Sequence, residues 1–311
     1  MIQAVTITNY LGDSIRLELS RPEESGFIVQ SITGLGPGKA TINTTEVVTN
    51  DGGLFNSSRL SSRNIVLSLK FLEDKYTIEE LRQISYKYFP IKKRLTLMIE
   101  TDNRKALIDG YVESNDPSIF SQSEGSDISI ICPNPFFYSK NINTTIFYGI
   151  EPMFEFPFSN ESMNLRLLDM GEIRNQTEQT VIYDGDAEVG VTITIHAVGE
   201  ASNITIYNTG TRELMRIDTD KLKKFTGSGL TTGDDIIICT EKGKKSITLQ
   251  RAGKNTNILN CLDNDSDWFQ LSKGDNIFAY VAETGSSNLQ FKIENHIIYE
   301  EIGRASCRER V

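Results

Sequence analysis

Residues Gly34-Leu35-Gly36-Pro37-Gly38-Lys39-Ala40-Thr41 come nearest to a phosphate-binding loop. In such a loop backbone N–H groups cradle phosphates, and a Ser or Thr directly after the Lys holds Mg²⁺. Here Thr33 stands where the first Gly belongs, Ala40 follows Lys39, and no helix pattern follows, so the stretch reads as a turn. Asp263-Asn264-Asp265-Ser266-Asp267 opens like a calcium loop. Its sixth position is Trp268 where Gly is required, and its twelfth is Gly274 where a bidentate Glu belongs. A solvated turn is the expectation. Trp268-Phe269 could stack on a sugar, but the chain's single Trp, set in a strand pattern, is expected in the core.

His196 and His296 are the only histidines, on strand patterns at 191–197 and 289–298, with no Cys or Asp pattern nearby to make a metal site or a triad. Ordinary sandwich positions are expected for both. Acidic pairs at the spacing for sugar hydrolysis arise by chance among 42 Asp and Glu, and no cleft signal accompanies them. Cys132, Cys239 and Cys261 sit in or beside apolar strand patterns without C-x-x-C spacing, as buried thiols do. Cys307 lies in the unusual C-terminal stretch treated below. The basic runs Lys92-Lys93-Arg94, Lys221-Leu222-Lys223-Lys224 and 242–245 flank turns and lack interleaved aromatics, so they read as solvated loop charge. No catalytic, cofactor-binding or metal-binding residue is assigned, and no cofactor is expected.

The elements that would position such residues are strands. In 64–71, Ile65, Leu67, Leu69 and Phe71 share one face, and Asn64, Ser68 and Lys70 the other. Thr77-Ile78-Glu79-Glu80 forms a capping box, Ile78, Leu81, Ile84 and Tyr88 make an apolar stripe, and Pro90 stops the helix near Phe89. It is the one convincing helix. Alternation resumes over 94–100 and 105–113, around a turn at 101–104. Before this unit come strands over 1–7, 14–19 and 26–32, then a polar excursion, 33–62, with little to bury; such an excursion is usually functional or ordered by a partner. After it comes a strand marked by Ile128, Ile130 and Cys132. Pro133-Asn134-Pro135-Phe136-Phe137-Tyr138 breaks the pattern and marks a domain boundary. Beyond it about ten short strands follow, at 153–158, 164–168, 181–183, 189–197, 201–208, 235–240, 245–251, 268–271, 276–281 and 289–298, with 241–244 a hairpin loop. That spacing predicts a sandwich of jelly-roll type.

The chain has 311 residues, a net charge of −10 and 38% apolar residues. Length favours two domains. No run approaches a membrane span, and the start, Met1-Ile2-Gln3-Ala4-Val5-Thr6, lacks the basic and apolar blocks of a secretory signal, which predicts retention in the cytoplasm of the producing cell. An acidic chain without a basic face is a poor phosphate binder. Residues 301–311, EIGRASCRERV, match a sequencing adapter read as codons and are expected to be non-native.

GLGPGKATINTTE (34–46), RNIVLSLKFLEDKYTIEELRQISYKYFPIKKRLTLMIETDNR (63–104), GYVES (110–114) and ISIICPNPFFYS (128–139) together resemble the N-terminal half of siphophage distal tail proteins, the Dit family. GDDIIICTEKGKKSITLQR (233–251) and LNCLDNDSDWFQLSKGDN (259–276) are similar to that family's common C-terminal domain. The resemblance implies a homohexameric ring at the far end of a non-contractile phage tail, without a catalytic centre. It also implies partners: the major tail tube protein, the tape measure protein, and a tail-tip, tail-associated lysin or fibre protein. The place implied is the virion tail tip, assembled in the cytoplasm of the bacterial host.

The expectation is therefore a mainly β chain in three parts. Residues 1–139 form a ring-forming β-sandwich with one helix. Residues 140–300 form a jelly-roll-like sandwich, similar to galectins and carbohydrate modules, and 301–311 are the non-native tail. Stretch 33–62 would be an arm that orders against a neighbour, and the alternative to solvated charge for Lys92–Arg94 is a contact to an acidic neighbour across the ring. More Asp and Glu than Lys and Arg would line the lumen, so that DNA slides without sticking. Neither specific nucleic-acid binding nor membrane insertion is expected. The alternative function is a carbohydrate-binding module in which the C-terminal sandwich grips host cell-wall polysaccharide.

Overall fold

The computed structural model describes residues 1–46, 51–119, 121, 123–151 and 172–302. The chain is mainly β and forms two compact units. It leaves the first unit after Lys140 and returns to it at Ile298.

The first unit holds β1 (Ile2–Thr8), β2 (Ser14–Glu18), α1 (Pro22–Ser25), β3 (Phe27–Thr33), β4 (Ala40–Glu46), β5 (Gly53–Leu60), β6 (Arg63–Phe71), α2 (Ile78–Tyr88), β7 (Arg94–Thr101), β8 (Lys105–Pro117), β9 (Gly125–Cys132) and the start of β10 (Phe137–Ile146). One run of strands is β2-β1-β7-β8 and another is β3-β6-β9-β8, all antiparallel. Strand β8 serves both because its first half pairs β7 and its second half β9, with a bulge between Val112 and Ser114. Gly110 sits at that changeover. A Cβ there would lie 2.5 Å from Ile130 Cγ2 and 2.9 Å from Cys132 Sγ, so only glycine lets β9 come this close.

Alternating residues from both runs fill one core: Val5, Ile7, Ile65, Leu67, Leu69, Leu97, Ile99, Ile108, Ile128 and Ile130 are all buried. Helix α2 lays Leu81 on this core, with Ile78, Ile84 and Tyr88 partly buried beside it. Its capping box is formed as the sequence predicts: Glu80 N–H donates to Thr77 Oγ (3.3 Å), and Thr77 N–H donates to Glu80 Oε2 (2.9 Å). Such a cap contributes about 1 kcal/mol.

The second unit carries β11 (Tyr148–Glu151), β12 (Glu172–Asn175), β13 (Glu178–Tyr183), β14 (Val189–Gly190), β15 (Thr192–Ala197), β16 (Ser202–Asn208), β17 (Glu213–Ile217), α3 (Thr219–Thr226), β18 (Asp235–Cys239), β19 (Ser246–Arg251), β20 (Lys254–Asn257), β21 (Gln270–Leu271), β22 (Gly274–Thr284) and most of β23 (Leu289–Tyr299). Strands β23-β15-β18-β19-β20 make one sheet, and β13-β22-β16-β17 another. Ile193, Ile195, Ile236, Ile238 and Phe291 are buried from the first, and Val181, Ile204, Ile206, Met215 and Phe278 from the second. Tyr280 stacks on Phe291 with centroids 3.7 Å apart, and its hydroxyl donates to Leu289 O.

Four features differ from the sequence expectation. Stretch 33–62 contains the hairpin β4–β5. Helix α2 is not alone: the one-turn α1 lies at 22–25, and α3 forms because Asp218 accepts from the Asp220 and Lys221 N–H groups and Leu222 is buried, so the basic run 221–224 is helical. Trp268 is half-buried outside any strand, while its neighbour Phe269 is fully buried. Strands β10, β11, β12, β17 and β20 went unforeseen. The strands expected at 153–158 and 164–168, and residues 303–311, lie outside the described residues.

Arg251 closes the end of the second unit's first sheet. Its Nε and Nη2 donate to both carboxylate oxygens of Asp234, at 2.8 and 2.6 Å, and Asp234 also accepts from Thr231. Burial pushes the Asp234 carboxyl upward, but Arg251 and Thr231 outweigh it and hold the pKa below its usual value. The stabilisation is therefore present above the ordinary carboxylate range and is lost as pH falls through the lowered value. Asp234→Asn should cost about 3 kcal/mol at pH 7 in chemical denaturation, and the gap to wild type should narrow below about pH 4. A gap independent of pH would contradict this.

Candidate assembly surface

Strands β4 and β5 pair only with each other, and every residue in both is exposed. Register makes the hairpin two-faced. Ala40 stands opposite Leu60, Ile42 opposite Ser58 and, past a bulge, Thr44 opposite Phe55. Partners directly opposite share a face, so Leu60, Ile42 and Phe55 form one apolar stripe. Ile42 and Phe55 are 63% and 66% exposed. The other face carries Thr41, Arg59, Asn43, Ser57 and Thr45 with Leu54. An isolated two-stranded hairpin is marginal in water, and this one offers both an apolar stripe and two open edges.

The arm is held at its root by Arg63, the first residue of β6. This guanidinium is buried, at 7% exposure. Its Nη1 donates to Gly34 O (2.6 Å) and to Gly36 O, its Nε to Pro135 O (2.7 Å), and its Nη2 to Glu300 O (2.8 Å). The guanidinium also lies over the Phe137 ring, 4.7 Å from the centroid. Burial lowers the guanidinium pKa from its usual value, yet a guanidinium keeps its charge in a protein. The stretch weighed as a phosphate loop thus turns its carbonyls inward to a cation. Gly34 has φ +85°, and a Cβ on it would stand 2.1 Å from Asn64 O. Leu35 is buried, and its carbonyl accepts from Ile302 N–H at 3.0 Å. Ile302 belongs to the stretch read as adapter-derived, yet it packs into the first unit's core.

The other sequence candidates are dispersed. Asp267 accepts from Leu214 N–H and Asp263 from Asn264 N–H, so the acidic turn spends carboxylate oxygens on backbone donors. Among the described residues no three His, Cys, Asp or Glu side chains gather to hold a metal. His196 stands directly across from Asp235, with Nδ1 and Oδ1 2.7 Å apart, a pair whose members lie 39 residues apart and which the sequence concealed. The residues beside it in register are Gln290 and Gln250, which supply no nucleophile. Lys245 stands over the Trp268 ring, 5.1 Å from the centroid.

Cys132 and Cys261 are buried and Cys239 half-buried, all three free thiols. Burial pushes the Cys132 thiol up to about 12, far from reactivity at neutral pH. In the run 92–94, Arg94 is spent on Asp109 at 3.0 Å, while Lys93 lies over Tyr10. Among the described residues no helix is long and apolar enough to cross a membrane.

These features define a two-unit β protein with a protruding hairpin. Residues 184–295 match the model of the siphovirus-type tail component, C-terminal domain. The fold is similar to that of the Dit (gp 19.1) protein of phage SPP1, at 14% identity and a TM-score of 0.64 over 94% of this chain and 98% of that one. It is also similar to a chain of the phage p2 baseplate in its activated conformation with Sr, at 13% identity and a TM-score of 0.50 over 94% and 97%. No curated protein matches the chain. The resemblance to siphophage distal tail proteins is thus carried by sequence in the second unit and by fold along nearly the whole chain, and it supports a structural component of a phage tail or baseplate.

The turn beneath Arg63 generates one expectation. Gly34→Ala should destabilise the first unit by about 2–3 kcal/mol, because left-handed backbone and a clash with Asn64 O coincide. A denaturation midpoint equal to wild type would show that the turn relaxes.

Proposed function

We propose that the chain is the hub of a phage tail tip, a homohexameric ring that joins the tail tube and the end of the tape measure protein to a tail-tip, lysin or fibre protein. The match of residues 184–295 to a siphovirus tail component carries this reading, and the likeness to SPP1 Dit, described as a paradigm of a hub adsorption apparatus, supports it. The chain acts by position and carries out no reaction. In this reading residues 1–139, completed by the strand that returns at Ile298, supply the ring, and the sandwich between them is the family's C-terminal domain.

The exposed arm supports self-assembly. Its Leu60–Ile42–Phe55 stripe would be covered by the next copy, and closure around a ring leaves no stripe uncovered. Ile42→Ser with Phe55→Ser should shift the sedimenting species from hexamer toward monomer. Far-UV circular dichroism should not change, since both side chains are exposed. An unchanged oligomer would count against the arm.

The outward face of β3-β6-β9-β8 suits the inner wall. It presents Glu113, Asp116 and Asp127 against Lys70, and Asp116 lies directly opposite Asp127. Like charges so placed cost stability, and a wall that must not hold a polyanion gives that cost a use. With Ser68→Cys on this face, a polymer-linked maleimide too large for the channel should react with the monomeric double variant and not with the ring. Equal reactivity would place the face outside.

A further inference from the structure

We propose that Arg63 sets the direction of the β4–β5 arm and makes it depend on the strand that returns to the first unit at Ile298. The inference concerns a single chain and holds whether or not copies close into a ring. An arm whose residues are all exposed has no packing along its length to aim it, so its root must do so.

The root is short and fully bonded. Lys39 O accepts from Ser61 N–H at 3.1 Å, and the Thr41 and Ser61 hydroxyls lie 2.9 Å apart, which closes the arm's base. One residue beyond Ser61 and Ser62 is Arg63, and three residues before β4 is Pro37, next to the Gly36 carbonyl that Arg63 binds. Both legs of the hairpin therefore end on the same guanidinium, one through the chain and one through Gly34 O and Gly36 O.

Its Nε–H reaches Pro135 O, shortly before the chain departs for the second unit, and an Nη2–H reaches Glu300 O, just after it returns. Arg104 adds a second hold on the returning strand, its guanidinium 4.9 Å from the Tyr299 ring centroid. A guanidinium is planar and its donors are fixed in direction, so moving one carbonyl tilts the plane against the others. Displacing Glu300 thus changes what Gly34 and Gly36 can bond, and with them the arm's exit angle. Departure, return and arm meet at one side chain.

The test measures the arm's direction directly. Spin labels are placed on Ser57→Cys in the arm and Glu79→Cys on α2, both exposed, in the full chain with Cys239→Ser and Cys307→Ser. Wild-type Arg63 should give one narrow distance distribution by pulsed electron spin resonance. Arg63→Lys keeps the charge but cannot reach all four carbonyls, and should broaden the distribution about twofold. A chain ended at Ile297 keeps Arg63 but removes Glu300 O, and it should broaden the distribution as well. Wild-type width in either folded variant would overturn the coupling. Circular dichroism identifies a variant that fails to fold, and the other then decides.

Discussion

The buried guanidinium of Arg63 is the constraint on which the first unit depends. Left without partners, each buried donor would cost about 1–3 kcal/mol, and an uncompensated charge more. Backbone carbonyls from the 34–36 turn, from Pro135 and from Glu300 supply partners that no local strand pairing could. Satisfying one side chain therefore requires several distant segments to be in place together. That requirement explains the left-handed Gly34, the buried Leu35 and the close approach of the turn to Asn64 O. It also makes the first unit discontinuous, since residues from Ile298 onward complete it.

Around that junction the molecule separates rigid parts from offered ones. The core uses alternation on β1, β6, β7, β8 and β9, and Gly110 lets a single strand serve two runs without a break. Helix α2 is capped at its start and pinned by Leu81. The parts offered outward are a hairpin with an apolar stripe and a sheet face with unneutralised carboxylates. Nothing among the described residues assembles a reacting centre: the His196–Asp235 pair is flanked by amides, and the acidic turn before Trp268 is spent on the backbone.

Most of the framework was legible in the sequence because it follows a short period. Ile65, Leu67, Leu69 and Phe71 announce β6, and Thr77 with Glu80 announces α2. The arm was legible as a polar excursion with little to bury, but not as strands, since a hairpin exposed on both faces gives no buried alternation to read. Helix α3 was missed because eight residues give barely two turns of periodicity, and only Asp218 marked its start. The partners of Arg63 lie 27 to 237 residues away, and the carboxylate partners of His196 and Arg251 lie 39 and 17 residues away on other parts of the chain. No local pattern encodes such pairings. Trp268 departs from the expectation because the chain there is not a strand, and its neighbour Phe269 fills the core instead.

Electron microscopy of the purified chain tests the central claim most directly, because a ring subunit and a free-standing binding module differ in outline. Class averages should show sixfold particles with an open centre, of the mass of a hexamer of the 34.9 kDa chain. Solitary particles of single-chain size at high protein concentration, with the arm still formed, would contradict it.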